Sequence, residues 1–213
     1  MLRRISKRIG AAATTEEFVI PRREVVAAHD VELAEAGRAR VNVLLSQEHQ
    51  GHPVIVVTVG RRSAVPVVRI QSKCLYGEVF GSVECDCGDQ LRESLSRMRT
   101  AGSGILIYLD QEGRGAGLTV KALAYELSQR LRIDTLGAYA QLGFLHDLRS
   151  YGDAVRSLKL LDVSTCHLLT NNPAKVRALE ESGIRARRQP LWAQKSEHGQ
   201  RSRAARRAHG YLD

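Results

Sequence analysis

The chain has 213 residues, 43% of them hydrophobic, and a formal net charge of +9 at pH 7. That length allows one large domain or two small ones, with a sizeable core in either case. No apolar run approaches the roughly 20 residues that a membrane-spanning helix needs, and no hydrophobic signal-peptide core is seen. The chain has four cysteines, three of them clustered, which disfavours a secreted disulfide framework and favours a reducing cytoplasm.

The positive charge lies at the two ends of the chain. Residues 1–15 carry a charge of +4 and residues 185–207 carry +7, so the remainder has a charge of −2. Basic ends are usually solvated tails, although they can attract polyanions. A near-neutral body with one tryptophan offers few platforms for base stacking, so no nucleic-acid partner is expected.

The first half of the chain predicts strands on either side of irregular segments. The N-terminal 40 residues have no clear pattern. The β-branched runs 54–59 and 65–70 predict two strands. The segment around the cysteines breaks into short turns that contain glycine.

A helix and a buried strand are predicted next. The helix begins at about Asp89 and ends at Gly102 and Gly104, and its apolar face carries Leu91, Leu95 and Met98. The continuous apolar run 105–109 is typical of a strand that is buried on both faces.

Helices and strands alternate through the second half of the chain. A glycine-rich loop at 111–117 precedes a helix, and a further helix is predicted near 151–162. Their apolar faces carry Leu123, Leu127 and Leu131 in the first and Val155, Leu158 and Leu161 in the second. The run 166–169 predicts a strand, after which Asn172 can cap a helix that starts at Pro173 and closes at Gly183. The alternation predicts an α/β fold with a mixed β-sheet and helical cover.

Cys74, Cys85 and Cys87 are candidate ligands of a soft divalent metal. A short turn lets the Cys85-x-Cys87 pair reach one ion, and three thiolates leave one zinc position open, as hydrolytic chemistry requires. The alternatives are three buried cysteines or a structural zinc site, which would normally have a fourth cysteine or histidine. Cys166 lies in an apolar strand and is interpreted as a core residue.

Two strand ends followed by helices are candidate phosphate sites. In the loop 111–117, three glycines allow close backbone approach, the next helix presents amides, and Arg114 adds a guanidinium. The segment 170–175 ends in Lys175, which is unfavourable in a first helical turn unless an anion compensates it. The alternative for each segment is an ordinary turn between a strand and a helix that binds no phosphate. Asp147 and Arg149 lie two residues apart and form either a local ion pair or a proton acceptor with a charged partner.

Four separated segments together resemble GTP cyclohydrolase II, an enzyme of riboflavin biosynthesis. They occur in the order of the family, over about Val68 to Leu191, as RIQSKCLYGEVFGSVECDCG, YLDQEGRGAGL, LGFLHDLRSYG and LLTNNPAK. The resemblance implies a catalytic domain at 46–191, a divergent segment at 1–45 and a basic tail at 192–213. It also implies the α/β fold of that family and a homodimer.

The resemblance assigns roles to individual residues. It implies that one zinc ion per chain is bound by Cys74, Cys85 and Cys87. It implies that Asp147 is the proton acceptor, that Arg149 is the nucleophile toward the α-phosphorus, and that Tyr125 takes part in ring opening. The implied nucleotide contacts are Arg69, Ile70, Gln71, Ser72, Lys73, Gln90, Glu112, Gly113, Arg114, Thr135, Thr170 and Lys175.

The implied reaction is the hydrolytic opening of the guanine imidazole ring of GTP. The family uses water activated by zinc at C8, expels that carbon as formate and releases pyrophosphate. The product is 2,5-diamino-6-ribosylamino-4(3H)-pyrimidinone 5′-phosphate. Mg²⁺ would accompany the triphosphate, whose developing charge Arg114 and Lys175 can neutralise.

The chain departs from the family pattern at a few positions. The family commonly has His where this chain has Gln71 and Glu where it has Lys73. Asp110 stands where a basic or polar residue is common, and Val120 replaces an asparagine. A paralogue that keeps the formyl group or uses another nucleotide is therefore an alternative. A zinc-stabilised basic module that binds nucleic acid is a more distant one.

Overall fold

The computed structural model describes residues 17–49, 51–145, 147–191, 207, 210 and 211. The first 16 residues of the predicted N-terminal segment and most of the predicted basic tail lie outside the described residues. No helix among the described residues is long and apolar enough to cross a membrane.

One seven-stranded mixed sheet organises the described chain. Its strands lie in the order β1-β2-β3-β5-β4-β6-β7. β1 pairs with β2, β2 with β3, and β3 with β5, all antiparallel. β4 pairs in parallel with both β5 and β6, and β6 pairs in parallel with β7. The strands are β1 Ala27–Leu33, β2 Gly37–Leu45, β3 Pro53–Gly60, β4 Val67–Ser72, β5 Ser103–Leu109, β6 Thr165–Leu169 and β7 Arg185–Gln189.

Six helices connect or cover the strands within the described residues. They are α1 Leu75–Glu78, α2 Cys87–Ala101, α3 Gly117–Leu131, α4 Thr135–Gln141, α5 Gly152–Leu160 and α6 Pro173–Glu181. Two short 3-10 segments occur at Arg22–Glu24 and Glu112–Gly115. The mixed sheet with helical cover confirms the predicted α/β fold.

The two faces of the sheet form two separate cores. Alternate residues of a strand point to opposite faces, so Val56 joins one cluster and Val57 the other. The first cluster includes Leu158 of α5 and Leu179 of α6, and the second includes Met98 of α2. The helices therefore lie on both sides of the sheet and leave the ends of its parallel strands open.

Most of the predicted elements are present. The predicted strands near 54–59, 65–70, 105–109 and 166–169 correspond to β3, β4, β5 and β6. Asn172 caps α6 as predicted, because its side chain accepts a hydrogen bond from the Ala174 amide at 2.9 Å. Cys166 is completely buried in the core, as predicted.

Two predictions about helices were wrong in detail. Gly104 belongs to β5, and α2 ends at Ala101 with Gly102 as its C-cap in the left-handed conformation. The predicted apolar face of α3 is largely exposed, since Leu123 is 47% and Leu131 is 45% exposed. The buried side of α3 carries Lys121 and Ala124 instead, because this helix faces a polar cavity.

Candidate active site

A cavity of about 540 Å³ opens at the carboxyl ends of the parallel strands. β4, β5 and β6 run in the same direction, so the residues that follow them meet at one edge of the sheet. Ligands bind at this edge in open α/β sheets. The volume lies in the range of small-molecule sites in proteins.

Most of the predicted site residues line this cavity. They are Arg69, Gln71, Ser72, Lys73, Cys74, Cys87, Gln90, Glu112, Gly113, Arg114, Tyr125, Thr135, Arg149, Thr170 and Lys175. Three predicted residues do not line it. Cys85 contacts Cys74, Asp147 pairs with Arg149, and the side chain of Ile70 is completely buried in the core.

The three predicted metal ligands form one cluster. The sulfur atoms of Cys74, Cys85 and Cys87 lie within 4.8 Å of one another, and the Cys74 and Cys85 sulfurs are 3.7 Å apart. Two thiolates on a tetrahedral zinc ion with bonds of 2.3 Å would be about 3.8 Å apart. The donor set and its spacing therefore fit a zinc ion.

The backbone around the cluster leaves room for the sulfur atoms. Cys74 immediately precedes α1, and Cys87 is the first residue of α2. A Cβ atom on Gly77 would lie only 2.6 Å from the Cys85 sulfur. Glycine at this position is what lets α1 and the cysteine loop approach each other closely.

The thiols influence one another's ionisation. Hydrogen bonds from Cys85 and Cys87 lower the pKa of Cys74, and the nearby ammonium of Lys121 acts in the same direction. The Cys74 sulfur in turn raises the pKa of both Cys85 and Cys87, with burial as a further cause. Complete deprotonation of the cluster is therefore costly without a cation, and a divalent metal would offset that cost.

Lys121 connects the cysteine cluster to the glycine-rich loop. Its ammonium donates to the Cys74 sulfur at 3.2 Å and to Oε1 of Glu112 at 2.8 Å. It also lies 4.3 Å from the centre of the Tyr76 ring. Burial opposes its charged form, but Glu112 and Cys74 raise the pKa of Lys121, so the ammonium stays protonated.

A chain of buried hydrogen bonds lies beside the cluster. Arg69 Nε donates to Gln71 Oε1 at 2.8 Å, and Gln71 Nε2 donates to Glu78 at 2.6 Å. Gln71 thus acts as an acceptor on one side and a donor on the other, which a neutral imidazole can also do. The Arg69 guanidinium also donates to Gln90 Oε1 at 2.8 Å.

Basic side chains converge at the other end of the cavity. Arg149 forms a two-point contact with Asp147, in which Nε lies 2.8 Å from Oδ1, and also donates to the Tyr211 hydroxyl at 2.9 Å. Nζ of Lys175 donates to the Ile70 carbonyl at 2.8 Å. Burial, followed by the charges of Arg69 and Arg149, lowers the pKa of Lys175.

Strained or unpaired groups also face the cavity. Arg114 adopts a φ of 59°, a left-handed conformation that is rare outside glycine. Among the described residues, the buried Oγ of Ser72 and Oε1 of Gln111 have no hydrogen-bond partner. Buried polar atoms are normally paired, so these two are exceptions in residues that line the cavity.

Several cavity residues were not among the individual site residues predicted from the sequence, although Gln111 and Asn171 lie in the two candidate phosphate segments. They include Gln111, Lys121, Tyr139, Asn171 and Tyr211. Lys121 has no local signal in the sequence, because a charged residue on a helix is normally exposed. Tyr211 lies in the predicted basic tail, where nothing in the local pattern indicates a contact with Arg149.

A known family matches this chain. The family model described as GTP cyclohydrolase II matches residues 24–189. A protein from Xylella fastidiosa (strain Temecula1 / ATCC 700964), named GTP cyclohydrolase-2, is 44% identical over 177 residues, which are 82% of this chain and 42% of that protein.

Two further relatives cover shorter stretches. GTP cyclohydrolase-2 of Psychromonas ingrahamii (strain DSM 17664 / CCUG 51855 / 37) is 52% identical over 122 residues, 57% of this chain and 60% of that protein. Riboflavin biosynthesis protein RibBA of Bacillus subtilis (strain 168) is 46% identical over 136 residues, 63% of this chain and 34% of the relative. The chain thus spans less than half the length of the Xylella and Bacillus relatives that it matches.

Proposed function

The chain belongs to the GTP cyclohydrolase II family, and on that basis we propose that it is a hydrolase that opens the imidazole ring of GTP. The proposed products are formate, pyrophosphate and 2,5-diamino-6-ribosylamino-4(3H)-pyrimidinone 5′-phosphate. The proposed physiological role is in riboflavin biosynthesis, in the cytoplasm.

One observation carries the proposal. Two thiols of the three-cysteine cluster, Cys74 and Cys87, line the same cavity as a group of basic side chains, Arg114, Arg149 and Lys175. The thiols suit a metal that acts on the purine, and the basic groups suit a triphosphate. A ligand with a base at one end and phosphates at the other would use both.

Cys74, Cys85 and Cys87 would hold the proposed zinc ion, one per chain. The ion would supply Lewis acidity to the hydrolytic steps. Tyr125 lines the cavity near the cysteines, and burial, together with the charge of Cys85, raises its pKa. Its hydroxyl therefore keeps its proton at neutral pH and can donate it to a nitrogen of the opening ring.

The phosphate end of the cavity would bind and orient the triphosphate. Arg114 and Lys175 would contact phosphate oxygens, with Mg²⁺ as a further counter-ion. The two-point contact with Asp147 fixes the plane of the Arg149 guanidinium. In the proposal Asp147 takes a proton from this guanidinium, and the freed nitrogen forms a bond to the α-phosphorus as the bond from that phosphorus to pyrophosphate breaks. Water then cleaves the phosphorus–nitrogen bond and leaves the 5′-phosphate.

The remaining proposed contacts position the nucleotide. Ser72 and Gln111 line the cavity and would contact the nucleotide through their side chains. The buried network from Arg69 through Gln71 and Gln90 keeps the cavity wall rigid, while Lys73, Thr135 and Thr170 line it. We further propose that the catalytic domain occupies residues 46–191 and that the chain acts as a homodimer.

A paralogue that retains the formyl group is a second candidate function. The observation that favours it is Lys73, which lines the cavity beside Cys74 and has its ammonium 3.0 Å from Asp110. It introduces a cation where the family commonly has an acid, and this changes the electric field at the proposed reaction site.

The test is to incubate the purified full chain with GTP, Mg²⁺ and Zn²⁺ and to identify every product by mass. Formate and pyrophosphate in equal amounts would support the riboflavin-pathway reaction. A formylated pyrimidine without formate would support the paralogue. Guanine nucleotides that stay intact with every supplied metal would overturn both, and salt-dependent binding of nucleic acid without turnover would support the zinc-stabilised module. A chelator-treated sample is the control.

A further inference from the structure

The carboxylate of Glu112 accepts three hydrogen bonds from the protein itself. Its Oε2 accepts from the Leu75 amide at 2.7 Å, and its Oε1 accepts from Lys121 at 2.8 Å and from the Gly113 amide at 3.1 Å. Glu112 is almost completely buried. These contacts hold the first turn of α1, the glycine-rich loop and Lys121 in one arrangement.

The position of the Lys121 ammonium is determined by contacts within the protein, because its side chain is almost completely buried. Its side chain is 7% exposed, and its ammonium is held between the Glu112 carboxylate, the Cys74 sulfur and the face of the Tyr76 ring. Burying an ammonium is expensive unless it is paired and hydrogen-bonded. Glu112 supplies the ion pair, and the contact with sulfur is what brings the ammonium to the cysteine cluster.

We infer that Glu112 and Lys121 form a positioning relay for the metal ligand Cys74, in which the carboxylate fixes the lysine and the lysine donates a hydrogen bond to the ligating sulfur. The inference rests on the proposed metal function of the cysteines. Glu112 thereby has a role that differs from direct contact with the nucleotide, and Lys121, which lies outside the recognisable motifs of the sequence, has one as well.

The relay would control how strongly Cys74 donates electron density to the ion. Groups that orient metal ligands commonly do this, as carboxylates do for zinc-bound histidines. A hydrogen bond to a thiolate withdraws electron density from the sulfur and leaves the ion a stronger Lewis acid. Because Glu112 cancels the charge of Lys121, the effect depends on the directed hydrogen bond and not on the net charge of the pair.

The test loads the full chain with Co²⁺ and records the thiolate-to-cobalt charge-transfer band. In Lys121→Met the band should move to longer wavelength, because a thiolate without its donor gives up an electron more easily. The double variant Glu112→Gln/Lys121→Met removes both charges together, leaves no unpaired carboxylate and should show the same displacement. Lys159→Met removes an exposed lysine on α5 and should leave the band in place.

The outcomes separate the relay from the proposed reaction. In the zinc enzyme, loss of the relay should lower kcat on GTP about 10–100-fold with little change in KM. An unchanged band in the folded, cobalt-loaded double variant would overturn the relay, as would the absence of any thiolate band in the unmodified chain. A displaced band in a chain that leaves GTP intact would support the relay while overturning the proposed reaction.

Discussion

The Lys73 ammonium lies 3.0 Å from Oδ1 of Asp110, so two residues that depart from the family pattern form an ion pair with each other. The family commonly has an acid at the first position and a basic or polar residue at the second. This chain reverses the charges and keeps the attraction. His52 adds a contact to the same carboxylate at 3.2 Å. Partial burial disfavours the charged form, but Lys73 and His52 lower the pKa of Asp110.

Because the charges of the pair are reversed, we expect Lys73→Glu alone to lower the stability of the protein and the added substitution Asp110→Lys to restore it. The single variant places two carboxylates opposite each other, and the double variant restores an attractive pair. Because both groups are partly exposed, we expect a coupling of about 0.5–1 kcal/mol in the free energy of unfolding. Urea denaturation of the four proteins of the cycle measures it. Strictly additive effects would show that the two departures are independent.

Gly77→Ala tests the space around the cysteine cluster. Alanine is the better helix former by up to about 1 kcal/mol, but its Cβ would lie 2.6 Å from the Cys85 sulfur and 3.2 Å from the Cys87 Cβ. We therefore expect zinc affinity to fall about 10–100-fold, measured by competition with a chromogenic chelator. The matched control is Gly137→Ala in α4, whose added Cβ would have its nearest neighbour at 3.7 Å. Equal zinc affinity in both variants would contradict this role of Gly77.

Arg114 has a backbone conformation that is unfavourable for stability and a side chain that the proposed activity needs. Its left-handed backbone costs a residue with a Cβ about 1–2 kcal/mol, and glycine avoids that cost. Arg114→Gly should therefore unfold at higher denaturant than Arg114→Ala, by about 1 kcal/mol in the free energy of unfolding. Both variants should lose most GTP turnover, because neither has a guanidinium for the phosphates. Equal stability of the two variants would show that the backbone at this residue is unstrained.

The sequence predicted the elements that have a simple pattern. The apolar run of β5 and the capped start of α6 are local signals, and both are present. β1 and β2 were missed because no residue of β1 is fully buried and β2 carries Arg38 and Arg40. β1 lies at the edge of the sheet, and a strand with little of its surface in the core leaves a weak alternation of apolar and polar residues.

The site was predictable where residues are close in sequence and unpredictable where the fold joins distant segments. The cysteine cluster lies within 14 residues of the chain, so its spacing alone indicates metal chemistry. The pairs Lys73–Asp110 and Cys74–Lys121 join different elements, and no local periodicity encodes them. Lys121 was missed for a further reason. A buried charge on a helix has the pattern of an exposed one until its partners are known.

Lys175 is expected to lower the stability of the protein in the absence of a bound phosphate group. It is almost completely buried, and no carboxylate among the described residues pairs with it. Burial lowers its pKa in the folded protein, so the unfolded chain binds more protons between that lowered value and the ordinary value for lysine. The free energy of unfolding therefore rises with pH across this window.

Lys175→Met should remove this penalty. At pH 7 we expect the variant to be more stable by about 1–2 kcal/mol, and the difference should shrink as the pH approaches the ordinary lysine pKa. Pyrophosphate binding should weaken at the same time, because the methionine cannot take up a proton and pair with the anion. Denaturant curves at several pH values and calorimetric titration with pyrophosphate measure both effects, with the exposed Lys159→Met as control. A variant that is less stable than the unmodified chain at neutral pH would show instead that the ammonium is well solvated or paired in the folded protein.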